Sequence, residues 1–165
     1  MVDSPPPICC KRPDAVTYWL MKSEPNDYSI DDLERDGVEP WDGIRNYQAR
    51  NMIRDDMKVG DSALFYHSSC PEPGVVGVMT IASEAYADPT QFDRKSGHYD
   101  AKSSKDDPRW LLVDVKFERK LDRTIPLKEL KAHPGLKDFR LNMRGNRLSI
   151  FPVSKKHWNI VLGLE

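Results

Sequence analysis

The sequence predicts an α+β fold in which a mixed, barrel-like sheet carries short flanking helices. Three observations point there. The β-rich runs are short, helices with recognisable caps are interspersed among them, and the chain shows neither internal repeats nor a linker. Strands mixed with helices in this way suit a mixed or barrel-like sheet better than a doubly wound parallel one.

Residues 1–16 are rich in proline and lack periodicity, and so read as a flexible leader. Tyr18–Met21 reads as a short strand that Lys22-Ser23-Glu24-Pro25 breaks. Ser29 suits the N-cap of a helix over Ile30–Asp36, with Asp31 and Asp32 at its positive end and Gly37 to stop it. After a turn at Trp41-Asp42-Gly43, Asn46–Met57 places Ala49, Met52, Ile53 and Met57 on one helical face. Gly60-Asp61 then turns into a strand, Ser62–Tyr66, and Val75–Ala82, rich in β-branched residues, reads as a buried strand. Tyr86–Arg109 is a long polar stretch, and loops of that length are usually functional or wrap the surface. Val113–Glu118 alternates as a strand with one face in the core. Leu127–Ala132 follows Pro126 as a short helix ended by Pro134-Gly135, and Leu148–Val153 reads as a short strand. Ser154 caps a last helix, Lys155–Leu164, that buries Trp158, Val161 and Leu162.

The 165 residues are 39% hydrophobic and 31% charged, which suits one core in a soluble globular protein. No apolar run approaches the roughly 20 residues of a membrane span, and Met1–Pro7 lacks a signal-peptide pattern. The expected location is therefore intracellular, in the nucleus or cytoplasm, with no membrane partner. Three cysteines (Cys9, Cys10, Cys70) argue against a disulfide framework, and scattered histidines argue against a metal site. No cofactor is expected.

A formal net charge of −1 implies that any grip on duplex by bulk electrostatics is modest. The charge is uneven, however. Lys137, Arg140, Arg144, Arg147, Lys155 and Lys156 face only Asp138 in their stretch, and Arg50, Arg54 and Lys58 share a helical face. Such runs can be solvated surface; beside an aromatic block they fit a local phosphate-binding rim.

That block is Trp41–Asn51. It joins an indole, a glycine turn, the amides Asn46, Gln48 and Asn51, and the guanidiniums of Arg45 and Arg50, with Asp42 as its acid. Flat aromatic faces stack on planar ligands, amides read hydrogen-bonding edges and guanidiniums hold phosphates. A nucleobase with its backbone fits this set better than catalysis does. A second block, Phe65-Tyr66-His67-Ser68, ends a strand beside the Pro/Gly-rich loop Ser69–Gly74, where polar groups can line a pocket.

With Tyr18–Pro25, Ala85–Phe92, Pro108-Arg109-Trp110 and Arg147–Ile150, these blocks resemble the signature segments of EVE domains, in order, over about residues 17–165. The resemblance implies a single PUA-like domain, related to the YTH domains that read methylated adenine in RNA and the SRA-like domains that read modified cytosine in DNA. The function to expect is non-catalytic recognition of a methylated or hydroxymethylated base in DNA or RNA through an aromatic pocket.

In that reading Trp41 walls the pocket, while Trp19 and Trp158 are structural. Trp110 either closes a cage opposite Trp41 or covers the barrel. Asn46 and Gln48 read a base edge or cap the following helix, and Arg45 and Arg50 hold phosphate or form surface ion pairs. Gly43 makes the turn, and Tyr66, His67 and Ser68 offer a ring, an imidazole and a hydroxyl. The resemblance places Lys22, Ser23 and Glu24 near the pocket, with Glu24 suited to accept from an exocyclic amine as acids do from cytosine N4; it also carries over Arg147, Leu148 and Ser149. Stacking contributes about 1–3 kcal/mol per base whether modified or not. A fully buried methyl adds about 0.8 kcal/mol, so methyl discrimination should be modest unless a polar group rejects the bare amine. Two other classes stand beside this one: a protein-interaction module, and an enzyme using Cys70 with His67 as nucleophile and base. Oligomeric state has no signature in the sequence.

Overall fold

A computed structural model of the chain describes residues 16–165. The leader expected over residues 1–16 lies outside the described residues apart from Val16. The elements, in order, are β1 (Tyr18–Ser23), α1 (Ile30–Asp36), β2 (Val38–Pro40), α2 (Tyr47–Asp55), β3 (Ser62–His67), β4 (Gly74–Ile81), β5 (Tyr86–Ala87), β6 (Leu111–Leu112), β7 (Asp114–Pro126), α3 (Leu127–Ala132), β8 (Ile150–Val153) and α4 (Lys155–Leu162).

Six strands form one curled, half-barrel sheet in the order β2-β7-β4-β3-β1-β8, and β5 and β6 pair separately. The β1–β3 pair is parallel, with Tyr18 opposite Ser62 and Ser23 opposite His67, whereas the other neighbours are antiparallel. This is the expected α+β architecture with a barrel-like mixed sheet. Both faces of the sheet are covered. Trp19, Met21, Ala63 and Phe65 pack with Leu33 of α1 and Ile53 of α2 on one face. Leu20, Leu64 and Tyr66 pack with Leu130 of α3 and Trp158 of α4 on the other. Alternation along β1 and β3 thus feeds two cores at once.

The caps follow the sequence. Ser29 and Asp32 form a reciprocal capping box on α1, and Gly37 ends it at φ +79°. Asn46 caps α2 by accepting from Ala49 N–H, and Ser154 caps α4 by accepting from His157 N–H. Trp19 donates its indole N–H to the buried Asp61 carboxylate at 3.0 Å, which also accepts from the Thr17 and Lys58 amides.

Two expectations are corrected. The strand expected over Val113–Glu118 begins at Asp114 and runs on to Pro126, because its second half pairs with β4 through backbone bonds while Glu118, Arg119 and Lys120 stay exposed. A backbone ladder needs no apolar side chains, so nothing in the pattern marks it. The Tyr86–Arg109 stretch is also less loop-like than expected. It includes β5 and a 3-10 turn at Pro89–Phe92, and is pinned by the buried Gln91 amide. That amide donates to Asp88 O and Trp110 O, and accepts from Ser103 Oγ and Trp110 N–H. Among the described residues no helix is long and apolar enough to cross a membrane, and no group of His, Cys, Asp and Glu is placed to hold a metal ion.

Candidate nucleic-acid interface

Because β1 and β3 are parallel, they leave the sheet at the same end, where Ser68 N–H donates to Ser23 O at 3.0 Å. A cleft of about 750 Å³ opens there. Lys22, Ser23 and Glu24 line it at the end of β1, Ser68 after β3, and Arg147 and Ser149 ahead of β8. Trp41, Asp42 and Gly43 enter from the edge strand β2, and Thr90, Ser96 and His98 from the long cover segment.

Trp41 is 6% exposed and stands edge-on to Phe65, with ring centroids 5.3 Å apart. Its backbone N–H donates to Val113 O, which fixes the ring where β2 ends. No acceptor among the described residues takes its indole N–H. The residue is core on one side and cleft wall on the other, a dual placement that the either/or reading of the sequence did not foresee.

The turn after Trp41 is clamped from below. Gly43 has φ +82°, and its N–H donates to Asp88 Oδ2 at 2.8 Å. The His98 ring packs so closely that a Cβ on Gly43 would lie 2.8 Å from Nε2. Asp88 is wholly buried and also accepts from the Arg45 guanidinium at 3.0 Å and from the Thr90 amide and hydroxyl. Burial alone would raise the Asp88 carboxyl, but the Thr90, Gly43 and Arg45 hydrogen bonds outweigh it and hold it below the ordinary carboxylate range. Arg45 spends its remaining donors on Ile44 O, His98 O and Thr90 Oγ1. With the fork saturated inside the chain, Arg45 acts as a clasp, and of the phosphate contact and ion pair expected of it the ion pair, with Asp88, is the one formed here.

The cleft is electrostatically mixed. Burial lowers the Lys22 ammonium, which sits 5.8 Å from the Tyr66 ring centroid and 6.0 Å from that of Phe151. In the same lining, burial and the Asp88 charge push Asp42 up, and burial with Asp36 and Asp42 nearby pushes Glu39 up. Ser23 donates its hydroxyl to Tyr28 O at 2.7 Å.

Other expected site residues lie elsewhere. Asn46 and Gln48 face a second, smaller groove that meets the cleft at Arg147. Trp110 is buried under Tyr47, 4.7 Å between ring centroids, and donates its indole N–H to Asp100, so of its two expected places it takes the cover. Arg50 lies over Tyr47 and donates to Arg109 O. Tyr66 is buried in the other core, its hydroxyl pushed up to about 12 by burial and then by Cys70. His67 packs edge-on to Phe65 and accepts the Ile30 amide on Nε2 at 3.1 Å, which fixes a neutral tautomer at the start of α1. Burial lowers its imidazole further.

Against known proteins, the EVE domain model matches residues 17–164. The chain belongs to the EVE domain family. Thymocyte nuclear protein 1 of Mus musculus is 47% identical over 90% of this chain and 73% of its own. The crystal structure of human THYN1 protein in complex with 5-methylcytosine-containing DNA is 45% identical, covers 90% of this chain and 96% of that one, and has a TM-score of 0.85. A crystal structure from Pseudomonas putida, 47% identical over 89% of this chain and 98% of that one, has a TM-score of 0.86.

In this EVE domain, sequence reasoning missed Asp42 and Glu39 as cleft acids, His98 as the ring on Gly43, and Asp88 as the hub beneath them. The Asp88-Pro89 pair carried a readable signal, an N-cap acid followed by proline at the first helical position. His98 carried none, because it is brought to Gly43 by tertiary structure alone.

Proposed function

We propose that this EVE domain is a non-catalytic reader of DNA carrying a modified cytosine, with the base held in the 750 Å³ cleft against Trp41. The observation that carries the reading is Trp41 itself, a rigidly held indole on the cleft wall whose N–H has no acceptor among the described residues. The DNA complex of the human relative supports DNA over RNA and 5-methylcytosine as the mark. The names of the thymocyte nuclear protein relatives favour a nuclear location.

Ser23, Glu24 and Asp42 are the groups suited to the base edge, with a carboxylate accepting from the exocyclic N4 amine. The methyl would be recognised by the apolar wall it meets, and Ser68, Ser149 and Arg147 sit at the mouth. A base in duplex DNA would have to leave the stack to reach the wall of the cleft. Catalysis by Cys70 with His67 gains no support, since His67 Nε2 is committed to the Ile30 amide.

The test is a titration of the full chain against short oligonucleotides with and without 5-methylcytosine, at fixed salt. Trp41→Ala would also hollow the core, so the variant to use is Trp41→Leu, with folding checked by thermal melting. Tighter binding to the methylated strand, weakened in Trp41→Leu, is the expected result. Equal binding across the panel, or a preference that Trp41→Leu leaves intact, would overturn the reading.

A further inference from the structure

The second groove, about 350 Å³, differs from the cleft in its charge. The cleft sets Glu24, Asp27, Glu39 and Asp42 against Lys22 and the shared Arg147, whereas the groove has no acid in its lining. Its walls are Arg140, Arg144 and Arg147 on one side and the amides of Asn46 and Gln48 at the start of α2 on the other. Arg35, Arg45, Arg54, Arg119 and Arg123 each pair with a carboxylate, but no ion pair forms on Arg140, Arg144 or Arg147 among the described residues. Asn46 spends its carbonyl on the Ala49 amide, which leaves its NH2 to donate outwards. Asn146, also in the lining, spends Oδ1 on Leu148 N–H, while its Nδ2 lies buried beneath the groove surface. The groove therefore presents donors and positive charge in excess of any acceptor the chain supplies.

We propose that this groove seats the sugar–phosphate backbone beside the base held in the cleft, with Arg147 at the junction and Arg140 and Arg144 on successive phosphates. This rests on the base-reading function proposed above. The carboxylates repel a phosphodiester from the cleft and the guanidiniums draw it next door, so base and backbone are sorted by charge into adjoining cavities. Phosphate contacts set register and affinity and carry no sequence information.

The experiment pairs Arg140→Gln/Arg144→Gln with wild type, both as full chains, on methylated and unmethylated oligonucleotides across a salt series. Affinity for both oligonucleotides should fall by a common factor of at least tenfold, with the methylation ratio unchanged. The slope of log affinity against log salt should shrink by about 0.7–0.9 for each phosphate that is no longer neutralised. Replacing phosphates next to the modified base by neutral methylphosphonates should weaken wild type and have little further effect on the double variant. An unchanged affinity and slope, with the methylation ratio intact, would overturn the groove and leave the base reader standing. A changed ratio would also overturn it, because the arginines would then be reading the base. A wild type that shows no methylation preference removes the base reader, and this inference with it.

Discussion

Arg45 donates to the wholly buried carboxylate of Asp88 at 3.0 Å, and this contact fastens the segment that presents Trp41 to the segment that covers the cleft. Arg45 is itself 22% exposed at its side chain, so water does little to replace either partner. Asp88→Ala should cost about 3–5 kcal/mol, as removal of one member of a buried pair does. Arg45→Ala in the same background should add much less than it costs alone. Urea unfolding of the two single variants and the double variant measures the coupling; full additivity would show that the clasp is not a unit.

Gly43→Ala should destabilise the fold by about 1–2 kcal/mol, because the residue must keep a left-handed backbone at φ +82°. The new Cβ would also meet the His98 ring at 2.8 Å and turn it away. His98→Ala removes that collision but not the backbone cost. The double variant should therefore stay close to Gly43→Ala in stability, as thermal melting would show.

His67 should make the fold acid-sensitive. It must be neutral to accept the Ile30 amide, and burial holds its imidazole below the ordinary value of about 6.5. As pH falls through that value the unfolded chain takes up a proton that the folded chain resists, so stability drops until the folded imidazole titrates as well. His67→Gln, which keeps an acceptor without a titration, should lose less stability between about pH 7.5 and 5.5. Equal losses in both proteins, read by urea unfolding, would remove His67 as the cause.

Asp42→Asn should weaken binding to a cytosine-bearing strand by about 1–3 kcal/mol if its carboxylate accepts from N4. Because burial and Asp88 raise the Asp42 carboxyl, wild-type binding should decline on acidification as the acceptor is protonated. The variant should lack that component of the decline. Binding isotherms at several pH values decide it, and parallel profiles would place the amine contact on another group, Glu24 first.

Much of the fold was legible because its signals are local. Ser29, Asn46 and Ser154 stand where helix caps must, and the short apolar runs of β1 and β3 read as strands. The edge strand β2 and the charged half of β7 were not legible, since both are held by partners distant in sequence. The candidate site divides in the same way. Lys22, Ser23, Trp41, Gly43, Ser68, Arg147 and Ser149 share one cleft. Arg45 was read by residue type, and type cannot reveal that Asp88, Thr90 and His98 already consume its donors. Tyr66 points into the opposite core because residues along a strand alternate, and Trp110 lies under Tyr47.

The parallel pairing of β1 with β3 has a consequence for how such a domain can change its ligand. The chain leaves the ladder side by side at Glu24 and at Ser68, while the strands behind these corners stay buried on both faces. Insertions or exchanges beyond Ser23 and Ser68 would remodel the mouth of the cleft while leaving the paired residues of β1 and β3 in place. The architecture thus separates the part that must stay constant to fold from the part that is free to diversify. One scaffold could serve a series of different marks through changes confined to its rim.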